Sequence, residues 1–302
     1  MMRSGSVMLN ENSHDIFWGG RVGDTQIKYP EYLQFLDQRS QMNSALMALL
    51  AGSQLTSNTL QLTEGSEETL ARIFPAVRHI ERFNLRSDEA RSYIDQAEGH
   101  LARVGIPYAM SVLEQYVVSA VGLARLDGMQ VVDSAGNTGP DIKMVNMHEV
   151  FYASCHAQPP DSMLELFHVL RLVRNGIIHE NGNYKAALDQ MIPALSDEAL
   201  DYWEKVTQNR QPLQIKGNNN SLLIDARHLF LAFGLVQRLA RDVNRTLGKT
   251  VSKRTWAEIV VDHYESETSA PRNSSKWQRS VIGLAKFNYG PGIIVKRFET
   301  GC

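Results

Sequence analysis

Residues 161–183 read DSMLELFHVLRLVRNGIIHENGN, and this stretch constrains the fold more than any other part of the chain. Met163, Leu164, Leu166, Phe167, Val169, Leu170, Leu172, Val173, Ile177 and Ile178 surround most of a helix with apolar side chains. A helix that is apolar nearly all round is expected to be buried nearly all round, inside a packed assembly. Yet Glu165, His168, Arg171, Arg174, Asn175 and His179 are kept on one side by steps of three, four and seven. Charges on a buried helix need partners, because an unpaired buried charge is strongly destabilising. A facing subunit or an anionic ligand would supply them.

The rest of the chain supplies helices to surround this one. Tyr32, Leu33 and Leu36, then Leu46, Leu49 and Leu50, fall at helical spacing after Pro30. Ser66-Glu67-Glu68 opens a second helix through Leu70, Ile73, Val77 and Ile80, with Pro75 placed to kink or break it. Ser87-Asp88-Glu89 opens a third running toward Leu101, and Ile106 to Leu126 is a fourth, strongly apolar one. Residues 127–141 are a loop, and 142–156 are ambiguous. Pro159-Pro160-Asp161 starts the polar-striped helix and Asn181-Gly182-Asn183 ends it near His179. Ser196-Asp197-Glu198 caps a short helix through Trp203. Leu213–Lys216 and Leu222–Ile224, joined by Gly217-Asn218-Asn219-Asn220, read as a small hairpin. A long helix from Asp225 to about Leu247 follows, then one or two helices around Trp256–His263 and Trp277–Phe287 and a Gly-Pro-Gly turn. The fold class is mostly α.

Composition narrows the function classes. The 302 residues suit one large domain or two smaller ones, and 43% apolar content excludes global disorder. Residues 1–150 carry 12 Lys/Arg against 18 Asp/Glu, a net of −6, while 151–302 carry 19 against 15, a net of +4. An anionic partner is therefore expected at the second half. Cys155 and Cys302 make neither a disulfide framework nor a zinc-finger spacing. No N-terminal apolar block resembles a secretion signal, and no uncharged apolar run approaches the roughly 18 residues that cross a bilayer. A cytoplasmic protein without membrane contact is the expectation.

Arg174-Asn175-Gly176-Ile177-Ile178-His179 resembles the R-x4–6-H signature of the HEPN superfamily, all-α nucleases and nucleic-acid-associated modules common in toxin–antitoxin and phage-defence systems. Arg72…His79 fits the same bare pattern, with six intervening residues instead of four, but Ile73 follows its Arg and Pro75 interrupts it. What distinguishes Arg174…His179 is the polar Asn175, the apolar helix before it and the turn after it. The resemblance spans about 87–250 and is closest to abortive-infection-type members. It implies a HEPN-like helical bundle at 87–250 with the small hairpin. Around it lie a flexible arm at 1–29, a helical N-terminal extension at 30–86 and a C-terminal extension at 251–302.

The resemblance implies a homodimer in which two Arg–His sets line one cleft, and RNA cleavage without cofactor or metal. The residue types suit that chemistry. An imidazole such as His179 exchanges a proton at neutral pH, and the permanently charged Arg174 offers a planar fork of donors to phosphate oxygens. Asn175 would orient the imidazole or bond the phosphate. His168 and Arg171 extend the cleft, and Arg238, Arg241, Arg245 and Lys249 form a basic stripe able to hold RNA phosphates. An antitoxin or another defence-system protein is the expected protein partner. A nucleotidyltransferase partner is not implied, because regulated members carry a Tyr two residues after the His, where this chain has Asn181.

Plainer readings stand beside these. Arg174 and His179 also suit a helix end, where cations favour the C-terminal dipole. A non-catalytic module that binds a protein or nucleic acid through the same groove fits the sequence as well. A helical stripe of arginines is more often a solvated face, and Asp242 dilutes this one; His168 and Arg171 equally suit an ordinary interface, and Glu114 suits a surface position more than a partner of Arg174. His148, Cys155 and His156 lack a carboxylate or second cysteine pair at metal-ligand spacing, so no metal site is expected. No phosphate-binding P-loop, nucleophile elbow or zincin motif is present.

Overall fold

The computed structural model describes residues 26–290, apart from 63–64, 66–67, 84, 209–212, 269–270 and 273. The described chain is mostly α. Its helices are α1 (Pro30–Gln61), α2 (Leu70–Ile73), α3 (Ser87–Asp95), α4 (Ala97–Leu126), α5 (Met147–Ser154) and α6 (Asp161–His179). They continue as α7 (Leu188–Met191), α8 (Asp197–Thr207), α9 (Ala226–Thr250), α10 (Lys253–Glu267) and α11 (Ser275–Leu284). A π-helical turn at Ala285–Tyr289 follows α11.

α4 is the centre of the bundle, packed against α1, α5, α6 and, most extensively, α9. Its buried residues Ile106, Met110, Leu113, Val117, Ala120 and Val121 recur at helical spacing, as do Leu229, Ala232, Val236, Leu239 and Val243 of α9. Each fully buried aliphatic side chain contributes roughly 1.5–3 kcal/mol over an exposed one. A second apolar focus is aromatic: Tyr29, Tyr32, Phe35, Tyr116, Trp256 and Tyr289 pack together, and the Tyr29 hydroxyl donates to that of Tyr116 at 3.0 Å. The 18-residue stretch of α4 that is apolar and long enough to cross a membrane has 56% of its residues buried in this core.

Several boundaries differ from expectation. α4 runs unbroken through Pro107 and starts at Ala97, because the ring removes one helical hydrogen bond while Ala102, Ile106 and Met110 stay fully buried on either side of it. The helix expected after Glu68 stops at Ile73, ahead of Pro75, and leaves only a 3₁₀ turn at Ile80–Phe83; its proposed cap at 66–67 lies outside the described residues. The hairpin is reduced to an antiparallel bridge between Lys216 and Leu222 around the Asn218–Asn220 turn, where Asn219 and Asn220 adopt positive φ. Of the expected arm, residues 26–29 are tied to the bundle: the Ile27 amide donates to Asn244 Oδ1 at 3.0 Å and Asn244 Nδ2 donates to the Ile27 carbonyl at 2.8 Å. Residues 1–25, the final Gly-Pro-Gly turn beyond Gly290, and Cys302 lie outside the described residues.

α6 is not buried all round. Leu166, Phe167, Val169, Leu170, Val173 and Gly176 are buried, Met163, Leu164, Leu172 and Ile177 are half-buried, and Ile178 is 45% exposed. The helix lies at the edge of the bundle, with α4, α8 and α9 covering one side of it.

Candidate functional site

The C-terminal end of α6 is fixed by its own sequence. Past His179, Asn181 and Gly182 take positive φ (53° and 82°), and the Gly182 amide closes back onto the Gly176 carbonyl at 2.9 Å. This closure reaches back six residues, one more than in a Schellman cap, and with its two left-handed residues it stops the helix directly after the imidazole. The chain then crosses over the helix it has just left. Leu222 N donates to Gly182 O and Tyr184 N to Asn220 O, both at 2.8 Å. A Cβ on Gly176 would lie 2.6 Å from Asn183 O and 2.7 Å from a Leu222 methyl, so only glycine fits beneath this crossing.

Three of the residues singled out in the sequence meet there. Arg174 Nη1 donates to Asn175 Oδ1 at 3.2 Å and lies 3.4 Å from His179 Nε2. Arg174 is half-buried, its Nε–H has no acceptor among the described residues, and His179 is exposed at the helix end. One turn earlier, Arg171 Nε donates to His168 Nδ1 at 3.3 Å. Burial, and then the adjacent Arg171 charge, push the His168 imidazole below its usual range. Burial likewise lowers Arg171. Neither Arg171 nor Arg174 forms an ion pair among the described residues. Glu165 leaves the stripe: its carboxylate accepts from the Ser196 amide at 2.7 Å at the start of α8. Glu180 pairs with Lys185 at 2.8 Å rather than with either arginine. Glu114 is half-buried on α4 and makes no ion pair with Arg174.

The structure does not bring Arg238, Arg241 and Arg245 to this end of α6. The Leu222 segment that covers Gly176 leads into the first turn of α9. At 1.5 Å per residue, the three arginines then lie about 18 to 29 Å further along that helix. They also separate from one another, since Arg245 pairs with Asp242 at 3.1 Å while Arg241 reaches the Tyr32 hydroxyl. His148, Cys155 and His156 do not converge either. His148 is buried edge-on against Phe167 at 4.7 Å, Cys155 is buried with its thiol pushed up by that burial, and His156 is exposed. Among the described residues, no three His, Cys, Asp or Glu side chains gather as a metal ion requires.

Arg103 is the site residue that sequence reasoning missed. From α4 its Nη2 donates to the Leu222 carbonyl at 2.8 Å, and its guanidinium covers Gly182, where a Cβ would lie 2.6 Å from Nη1. It braces the turn that follows His179. Nothing local signals it, because donor and acceptor are 119 residues apart. In all, the site presents a solvent-facing imidazole, an amide and two guanidiniums without carboxylate partners on one helix edge, a set suited to an anion and to proton transfer. No family model matches the chain, and neither a curated protein nor a solved structure matches it.

Proposed function

We propose that the chain is an endoribonuclease of the HEPN type, acting in the cytoplasm as a toxin or phage-defence effector. The observation that carries this reading is the grouping of Arg174, Asn175 and His179 at the open end of α6, with Arg174 Nη1 3.4 Å from His179 Nε2. Its chemistry needs no metal. The RNA 2′-hydroxyl loses its proton and attacks the neighbouring phosphorus, the bond to the 5′-oxygen breaks, and that oxygen takes a proton. The products are a 2′,3′-cyclic phosphate and a free 5′-hydroxyl. Arg174 supports charge on the phosphoryl oxygens and His179 exchanges a proton, while Asn175 holds the guanidinium in place. Two imidazoles serve the two proton transfers better than one, which is what pairing two copies along α6 would supply. The half-buried Met163, Leu164, Leu172 and Ile177 and the exposed Ile178 support such pairing. Arg171 and His168 extend the anion-facing edge.

The test is incubation of the purified chain with end-labelled single-stranded RNA in EDTA, beside a folded His179→Ala variant. Cleavage by the unaltered chain alone, with cyclic phosphate ends, is the expected result. Equal cleavage by both proteins, or none by either on several RNAs, would overturn it. In the second case a non-catalytic binding module becomes the better reading. Light scattering at tens of micromolar is expected to report a dimer.

A further inference from the structure

Three arginines border a second place in the fold, remote from the end of α6, with Arg241 beside Arg39 on one side and beside Tyr202 with Arg238 on the other. Arg39 comes from α1, and Arg238 and Arg241 from α9; Tyr32 and Tyr202, from α1 and α8, lie among them. Gly234, Arg238 and Arg241 share one face of α9, being four and seven residues apart. A Cβ on Gly234 would lie only 3.2 Å from the Tyr202 hydroxyl, so this glycine leaves room for the phenol.

The charges are poorly compensated. Arg39 Nη1 donates to the neutral Gln237 Oε1 at 3.0 Å, and Arg241 reaches the neutral Tyr32 hydroxyl. The buried Nε–H groups of Arg39 and Arg241 have no acceptor among the described residues. None of the three arginines forms an ion pair among the described residues. The two carboxylates nearest these arginines in sequence are engaged elsewhere: Asp37 accepts from Gln41 at 2.7 Å, and Asp242 accepts from Tyr152 at 2.7 Å and from Arg245 at 3.1 Å. Burial, then the neighbouring Arg241 charge, hold Arg39 below its ordinary range, while burial pushes Tyr32 and Tyr202 up to about 12 and so keeps both as neutral donors. Like charges held together with unused buried donors oppose folding, and such arrangements belong to binding sites.

We propose that Arg39, Arg238 and Arg241, with Tyr202, form a binding site for a phosphate monoester. The three guanidiniums bordering this place select that chemistry. A monoester dianion carries close to twice the charge of a single phosphodiester link and presents three terminal oxygens, against two on a diester. Arg238 is exposed and admits the ligand from solvent, whereas the half-buried Arg39 and Arg241 offer their unused donors from beneath. The site is independent of RNA cleavage, since none of its members touches Arg174 or His179.

The experiment is isothermal titration of the full chain with inorganic phosphate, with a nucleoside 5′-monophosphate, and with a dinucleoside phosphodiester lacking terminal phosphate. Saturable binding of the first two is expected, with the diester weaker by about tenfold or more. Arg241→Gln should weaken monoester binding by about tenfold or more, since a charge-assisted hydrogen bond is lost, while Arg245→Gln leaves it unchanged. Arg238→Gln, at an exposed position, carries the same expectation and decides the matter should Arg241→Gln prove unfolded by near-ultraviolet circular dichroism. Absence of monoester binding, binding that survives both Arg238→Gln and Arg241→Gln, or equal binding of the diester would each overturn the proposal. The last result would assign the arginines to an RNA strand instead.

Discussion

His148 lies 3% exposed on α5, edge-on to Phe167, and neither ring nitrogen has a hydrogen-bond partner among the described residues. Burial, and secondarily the neighbouring His168, push it down to about 3 from the ordinary 6.5. The native imidazole is therefore neutral at every pH at which the fold is expected to survive. Below the unfolded value the denatured chain binds a proton that the native chain refuses, so stability is complete above it and falls with pH until the native value is reached. The decline is about 1.36 kcal/mol per pH unit, which gives a loss of about 2 kcal/mol at about pH 5. His148→Leu removes this slope and also removes two unpaired polar atoms, whose burial costs about 1–3 kcal/mol. The variant should thus match or exceed the parent at neutral pH and hold the advantage increasingly on acidification. Urea unfolding followed by the fluorescence of buried Trp203, Trp256 and Trp277 measures this. His168 adds a slope of the same sign, common to both proteins, because its imidazole is lowered too. Parallel stability curves for the two proteins between about pH 7 and 5 would refute the reasoning. So would a large loss in the variant at neutral pH, which would mean that the ring nitrogens have partners.

Two further expectations concern the support of the α6 end. Gly176→Ala forces a methyl to within 2.6 Å of Asn183 O; it should cost about 1–3 kcal/mol and depress the proposed RNA cleavage by shifting the crossing segment away from His179, as measured by urea unfolding and by turnover. Arg103→Met leaves the Leu222 carbonyl unpaired, so amide hydrogen exchange at 181–184 and 222 should accelerate, with a stability loss of about 1–3 kcal/mol. Unchanged exchange in that variant would remove Arg103 from the site.

The α6 helix was readable to within a residue because Pro159-Pro160 and Asn181-Gly182 punctuate it, and because the contacts among Arg174, Asn175 and His179 span at most five positions. α1 was harder. Beyond Leu50 its apolar period fades, yet the helix continues to Gln61. There Ser53, Thr56 and Thr59 donate their hydroxyls back to the carbonyls of Leu50, Gly52 and Leu55, meeting their hydrogen-bonding needs inside the helix. The exposed side of α6 was misread because apolar residue types specify a preference for burial, not the neighbour that provides it. The basic stripe on α9 looked continuous along the chain, but Asp242 diverts Arg245, and Arg39 arrives from a helix 198 residues away at Gln237. Contacts of that separation leave no local period to read.

The clamp between Asn244 and Ile27 has a topological consequence. It holds the described chain at its start, and the next amide, that of Lys28, donates to the carbonyl of Asn288 at 2.6 Å. The first and last described segments therefore run side by side, and the bundle is nearly a closed ring of chain. A short linker from Gly290 to Gln26 would close that ring at little entropic cost, and new termini opened in the 127–141 loop would leave every helix in place. Such a circular permutant separates the act of chain closure from the act of packing α4 against α9.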